Sequence, residues 1–142
     1  NDIVINHGNL LRIIKLQLFE NDKLLNDYFC DGVIFSTPFG STAYSLSAGG
    51  PIVSPDIDSI IITPISSHSL SSRSIVLSND SKIKVIFKSE QNNINIVSDG
   101  QNHNKLDFRD SVLINKSKVK AKIISIDNSS DYYSKLRNKI GW

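Results

Sequence analysis

The stretch that most restricts how this chain can fold runs from Asp31 to Pro51 and reads DGVIFSTPFGSTAYSLSAGGP. Its apolar opening, Val33-Ile34-Phe35, fits a short buried strand. Ser36-Thr37-Pro38-Phe39-Gly40 then breaks that strand, since Pro38 fixes φ and Gly40 permits φ > 0. Ser41 to Ala48 is small and helix-tolerant, and Gly49-Gly50-Pro51 closes it, because glycine past a helix end followed by proline is a stop signal. The order is therefore strand, loop, short helix, with hydroxyls and free amides gathered at the helix start. Two consequences are open. Such a start can receive a polar or anionic ligand, or its Ser and Thr side chains simply cap the helix and satisfy their own backbone.

The remainder reads as short strands between turn signals. Ile3-Val4-Ile5 is a β run ended by His7-Gly8-Asn9. From Arg12 to Glu20, Ile14, Leu16 and Leu18 fall on one face; Asn21-Asp22-Lys23 turns the chain and Leu24 to Cys30 returns, a hairpin. Ile60 to Ile62, Ile75 to Leu77, Lys82 to Lys88, Asn92 to Val97 and Val112 to Ile114 are further strands. Ser98-Asp99-Gly100-Gln101 is a tight turn with Gly100 at φ > 0. Lys116 to Ile123 is expected to be a strand with four lysines on one solvated face, which blunts an edge. Tyr132, Tyr133, Leu136 and Ile140 recur at helical spacing. The expected fold class is mainly β: nine or ten short strands in a two-sheet, β-sandwich-like domain, with one short inserted helix and a C-terminal helix.

At 142 residues the chain is one domain, large enough for a core. A formal net charge of +2 argues against nucleic acid as a partner, and no apolar run nears the ~18 residues of a membrane span. No signal peptide opens the chain, and the single cysteine, Cys30, suits a reducing cytoplasm as a small buried hydrophobe. The chain holds no methionine and begins at Asn1, so it is expected to be part of something longer. His68 lies among serines in the loop Ile65 to Ser74, but without an orienting carboxylate and an oxyanion site it is structural, with Arg73 a loop anchor.

The string STPFGSTAYSLSAGGPIVSP resembles the signature of the NAD kinase family, whose T-P-T-G-S-T-A-Y-S-L-S-A-G-G-P block follows an Asp-Gly and an apolar strand. Thr63-Pro64-Ile65, His68 to Arg73 and Ile75 to Leu77 match the family's T-P-I-x-P-H-S-L-S-S-R-P-I-V-L pattern; Ser98 to Gln101 resembles its S-x-D-G-Q segment. Departures are Phe39, where a small polar residue is usual, Ser67 and Ser74, where proline is usual, and Asp2, where the family has Glu in an Asn-Glu pair.

The resemblance implies the C-terminal, NAD-binding domain of a NAD kinase, which transfers a phosphoryl group from ATP or polyphosphate to the adenosine 2′-hydroxyl of NAD, giving NADP. It implies that Asn1 and Asp2 hold the adenosine half, with Gln101 nearby, and that Asp31 meets the nicotinamide end. Thr42, Ala43, Tyr44 and Ser47, with backbone groups of Ser45 and Leu46, would line the site; Arg12, Phe39 and Ser66 are weaker contacts. No catalytic base and no metal ligand is expected here. The family's G-G-D-G motif, which supplies the base, lies in an N-terminal α/β domain absent from this chain. A divalent metal, Mg²⁺, would accompany ATP there, and a homodimer or homotetramer is expected. Two alternatives stay open: a related lipid or sphingoid-base kinase, and a non-catalytic dinucleotide-binding or assembly module.

Overall fold

Alternation of apolar and polar residues at period two puts one face of several strands into a shared interior, and the chain answers with two antiparallel sheets. The computed structural model describes residues 1–8, 13–69, 71–88, 93–107, 109–124 and 131–141. The strands are β1 (Asp2–His7), β2 (Ile14–Glu20), β3 (Lys23–Cys30), β4 (Gly32–Ser36), β5 (Ser59–Ile65), β6 (Ile75–Ser78), β7 (Ile83–Phe87), β8 (Ile94–Ser98), β9 (Asn102–Leu106) and β10 (Ser111–Ile114). A 3₁₀ turn covers Phe39–Thr42, followed by α1 (Tyr44–Ser47); α2 (Tyr132–Ile140) comes last. One sheet has the order β6-β5-β4-β1-β8-β9 and the other β10-β7-β2-β3. The mainly β, two-sheet expectation holds, including the C-terminal helix.

The main core lies between the sheets, where Ile5, Leu16, Tyr28, Phe35, Ile62 and Val85 are buried. A second, smaller cluster sits on the outer face of the six-stranded sheet: Val4, Ile34 and Val97, covered by Ala48 and Ile65. β4 is buried along its whole length because Val33 and Phe35 face the sandwich while Ile34 faces this outer cluster. That is why its sequence reads as a continuous apolar run rather than an alternation. Ala48, just past α1, anchors the helical segment to that face.

Two local expectations are corrected. Lys116 to Ile123 forms no strand: the sheet ends at β10, and Ser117, Val119, Ala121 and Ile123 are all exposed. Ser and Ala present too little apolar surface to hold a further edge strand in place. The inserted helix is not continuous either. It breaks at Ala43, whose φ of −100° and ψ of −130° are neither helical nor extended. The sequence reading also passed over β9, whose residues NHNKL carry no apolar alternation; it pairs with β8 through the turn at Asp99 and Gly100. Both residues have positive φ, 48° and 69°, so the left-handed turn expected at Gly100 is present. Among the described residues, no helix is long and apolar enough to cross a membrane.

Candidate functional site

The start of β1 and the loop after β4 are locked together. Asp2 pairs with Ser36 in the antiparallel register, which brings Asn1 beside Thr37. The Thr37 N–H donates to the Asn1 carbonyl at 3.0 Å and its hydroxyl donates to the same oxygen at 3.1 Å. Thr37 Oγ1 also accepts from the Gly40 N–H at 3.0 Å, closing the loop. Gly40 does not have positive φ. Its glycine is required for a different reason: a Cβ there would collide with the Asn1 backbone. The expectation that Gly40 serves a left-handed conformation is corrected to close approach.

Two serine hydroxyls of the signature, those of Ser41 and Ser45, face inward. Ser41 Oγ donates to the Val53 carbonyl at 3.2 Å and accepts from the Val53 N–H at 3.1 Å. Ser45 Oγ and Thr63 Oγ1 lie 2.9 Å apart, both fully buried. Gly50 packs directly on that pair, and Gly49 takes the left-handed conformation of a helix stop, φ 84°. So the hydroxyls of Ser41 and Ser45 satisfy the fold, and both residues are fully buried. Tyr44 is 46% exposed and Phe39 56%; Ser47 is exposed, and Thr42, Ala43 and Leu46 are half-buried. With a single four-residue turn, α1 has no N-terminal dipole of consequence.

A cleft of about 380 Å³ opens on the outer face of the six-stranded sheet. Its floor follows the register row Val4, Val97, His103 across β1, β8 and β9, on the order of 10 Å wide at ~4.8 Å per strand. Ala43 and Tyr44 form one wall; Asn1, Asp2, Asp99 and Gly100 close one end. Asp99 Oδ1 accepts from the Asn1 nitrogen at 2.6 Å and from the Asp2 N–H at 3.1 Å. Those hydrogen bonds hold the Asp99 carboxyl below the usual range. Partial burial raises the Asp2 carboxyl, and the Asp99 charge adds to the rise. Of the two carboxylates, Asp2 takes up a proton first as pH falls. A larger neighbouring cavity of about 510 Å³ shares Asn1, Asp2 and Asp99 but runs past Phe35, Ser36 and Ile57, away from Tyr44.

The expected residues thus divide. Asn1, Asp2, Ala43 and Tyr44 share one cleft, and Gln101 follows on the β8–β9 turn, exposed. Asp31 and Ser66 lie together elsewhere, with Ser67 and His68, in a cleft of about 480 Å³. Asp31 precedes β4 and Thr37 follows it, so the two clusters are roughly 20 Å apart at ~3.3 Å per residue. Ser66 has a φ of 46°, a conformation that L residues take up mainly where surrounding structure imposes it. Arg12 lies outside the described residues. Among the described residues no three His, Cys, Asp or Glu side chains gather to hold a metal ion.

The profile of the ATP-NAD kinase C-terminal domain matches residues 1–126. The chain belongs to the NAD kinase family. A NAD kinase of Caldanaerobacter subterraneus subsp. tengcongensis is 46% identical over 140 residues, 99% of this chain and 49% of the relative. One of Clostridium botulinum (strain Kyoto / Type A2) is 44% identical over 142 residues, 100% of this chain and 50% of the relative. The chain thus spans about half the length of the curated relatives it matches. Among solved structures, a yeast NADH kinase complexed with NADH aligns with a TM-score of 0.75 and 40% identity, covering 80% of this chain and 33% of that one. An Archaeoglobus fulgidus NAD kinase in complex with ATP aligns with a TM-score of 0.75 and 32% identity, covering 83% and 45%.

Within this NAD kinase domain, several lining residues escaped the sequence reading, Asp99 and His103 among them. Asp99 reads as an ordinary hairpin-turn residue, and His103 stands in a strand with no apolar pattern. The S-x-D-G-Q resemblance was the available signal for Asp99; only the pairing of β9 with β8 brings His103 to the cleft.

Proposed function

We propose that this chain is the dinucleotide-gripping half of an enzyme that transfers a phosphoryl group from ATP, or polyphosphate, to the adenosine 2′-hydroxyl of NAD, giving NADP. The observation that carries it is the single cleft shared by Asn1, Asp2, Ala43 and Tyr44, residues from two separate stretches that the family signature assigns to one ligand. The Asp2 carboxylate accepts hydrogen bonds from ribose hydroxyls, the Asn1 amide can both donate and accept, and Tyr44 offers an exposed ring for stacking and a hydroxyl. Phosphoryl transfer is chiefly a matter of positioning and charge neutralisation, and this chain's part is to hold the acceptor. When bound with ATP, a divalent cation supplies the charge neutralisation; its ligands and the base belong to the other half of the enzyme.

On this reading Asp31 meets the nicotinamide end, and the enzyme is a homodimer or homotetramer. A cytoplasmic location belongs to the same proposal, in keeping with the free, buried thiol of Cys30.

The test is a radiolabelled-ATP assay on the longer protein that carries this chain, with NAD and a sphingoid base offered in turn as acceptors. Labelled NADP is the expected product. Label in the lipid, or in neither acceptor, would overturn the reading. The 142-residue chain assayed alone is expected to form none.

A further inference from the structure

We propose that Lys139, on the C-terminal helix, is a positioning residue for the dinucleotide cleft: it holds Thr42 and thereby fixes the wall made by Ala43 and Tyr44. The inference rests on the functional reading above and adds a residue beyond position 126, where the family profile ends.

The geometry begins with the helix itself. α2 is capped at both ends: Asp131 Oδ1 accepts from the Ser134 N–H at 2.6 Å, and Gly141, at φ 68°, donates its N–H to the Arg137 carbonyl at 2.9 Å. It docks through Leu136, which is 4% exposed. A residue three positions on shares its face, and that residue is Lys139. Its ammonium donates to the Thr42 carbonyl at 3.1 Å and lies 3.5 Å from Thr42 Oγ1.

Thr42 is the last residue of the 3₁₀ turn, so its carbonyl has no onward helical partner. A cation is the favourable partner for a carbonyl at such an end. The chain leaves helical geometry at the next residue, Ala43, and resumes it at Tyr44. Whatever fixes the Thr42 carbonyl therefore fixes the peptide plane from which Ala43 and Tyr44 are hung. Nothing in this arrangement requires Lys139 to touch the ligand.

The experiment uses the longer protein, unsubstituted and as Lys139→Ala, Lys139→Arg and Lys135→Ala, the last an exposed lysine on the same helix. Losing a charge-assisted hydrogen bond is expected to raise KM for NAD about fivefold in Lys139→Ala, with kcat and thermal midpoint unmoved. Lys139→Arg should restore most of the affinity, and Lys135→Ala should match the parent. An unchanged KM in Lys139→Ala, a fall in kcat and midpoint in place of the KM effect, or an equal effect of Lys135→Ala would overturn the proposal. Amide hydrogen exchange at Ala43 and Tyr44 gives a readout independent of activity. Faster exchange in Lys139→Ala is expected even if the protein forms no NADP, an outcome that would sink the functional reading but not this one. Unchanged exchange counts against Lys139.

Discussion

Thr37 holds the carbonyl of Asn1 with two donors, its own N–H at 3.0 Å and its hydroxyl at 3.1 Å. The same hydroxyl takes the Gly40 N–H. One side chain thus ties the first residue of the cleft to the loop that launches its opposite wall. Thr37→Val keeps the shape and removes the hydroxyl, leaving the Gly40 N–H without its acceptor. The expected loss is about 1 kcal/mol of stability, read as a lower urea midpoint with unchanged slope, together with weaker NAD binding. Unchanged affinity would mean the loop does not set the cleft.

Gly40 and Gly49 are expected to separate two uses of glycine. At Gly40 a methyl group meets the Asn1 backbone, whereas at Gly49 it meets nothing within 4 Å but the residue sits at φ 84°. Gly49→Ala should lower stability by about 1–2 kcal/mol, the ordinary left-handed penalty, and leave NAD binding alone. Gly40→Ala must displace Asn1, so it should lower stability by about 1–3 kcal/mol and weaken NAD binding as well. Parallel calorimetry on the two variants checks this; equal effects on binding would contradict it.

The Ser45–Thr63 pair is buried at 0% exposure on both sides. Ser45→Ala strands the Thr63 hydroxyl and should lower stability by about 1–3 kcal/mol. Adding Thr63→Val, which removes the stranded group, should recover most of that loss. A double-mutant cycle that is additive would show that the two hydroxyls do not depend on each other.

How much of this was legible beforehand follows the range of the interactions. The strand, loop and short helix of Asp31 to Pro51 are set by local signals, and they stand, with a break at Ala43. The reason for Gly40 was not legible, because its neighbour Asn1 is close only through the pairing of β1 with β4. Lys116 to Ile123 satisfied a period-two pattern but pairs with no sheet edge, while Asn102 to Leu106 violated the pattern and became a strand by following a left-handed turn. Asn1, Tyr44, Asp99 and His103 come from four stretches, and only β1 lying between β4 and β8 brings them together. The family signature named several of these residues; it did not disclose that Asp31 lies at the far end of β4.

Cys30 gives a prediction at alkaline pH. Burial pushes its thiol up to about 12; a hydrogen bond from Gly32 opposes and the Asp31 charge adds. The unfolded thiol ionises near 9.0. The unfolded state then binds fewer protons than the folded state, so stability is whole below pH 9.0 and falls as pH rises toward 12. Urea midpoints between pH 9 and 10, below the ordinary tyrosine value, should decline in the parent and decline less in Cys30→Ala. A parent midpoint flat across that window would contradict the burial argument. A thiol reagent at pH 8 should label Cys30 only on unfolding.

The central claim is that NAD lies between the Asn1–Asp2 end and the Tyr44 wall. Amide chemical-shift mapping of the ¹⁵N-labelled chain during an NAD titration tests it most directly. Shifts centred on Asp2, Asn6, Tyr44, Gly100 and His103, and largely lost in Tyr44→Ala, are the expected result. Shifts confined to Asp31, Ser66 and His68, or no saturable shifts at all, would contradict it.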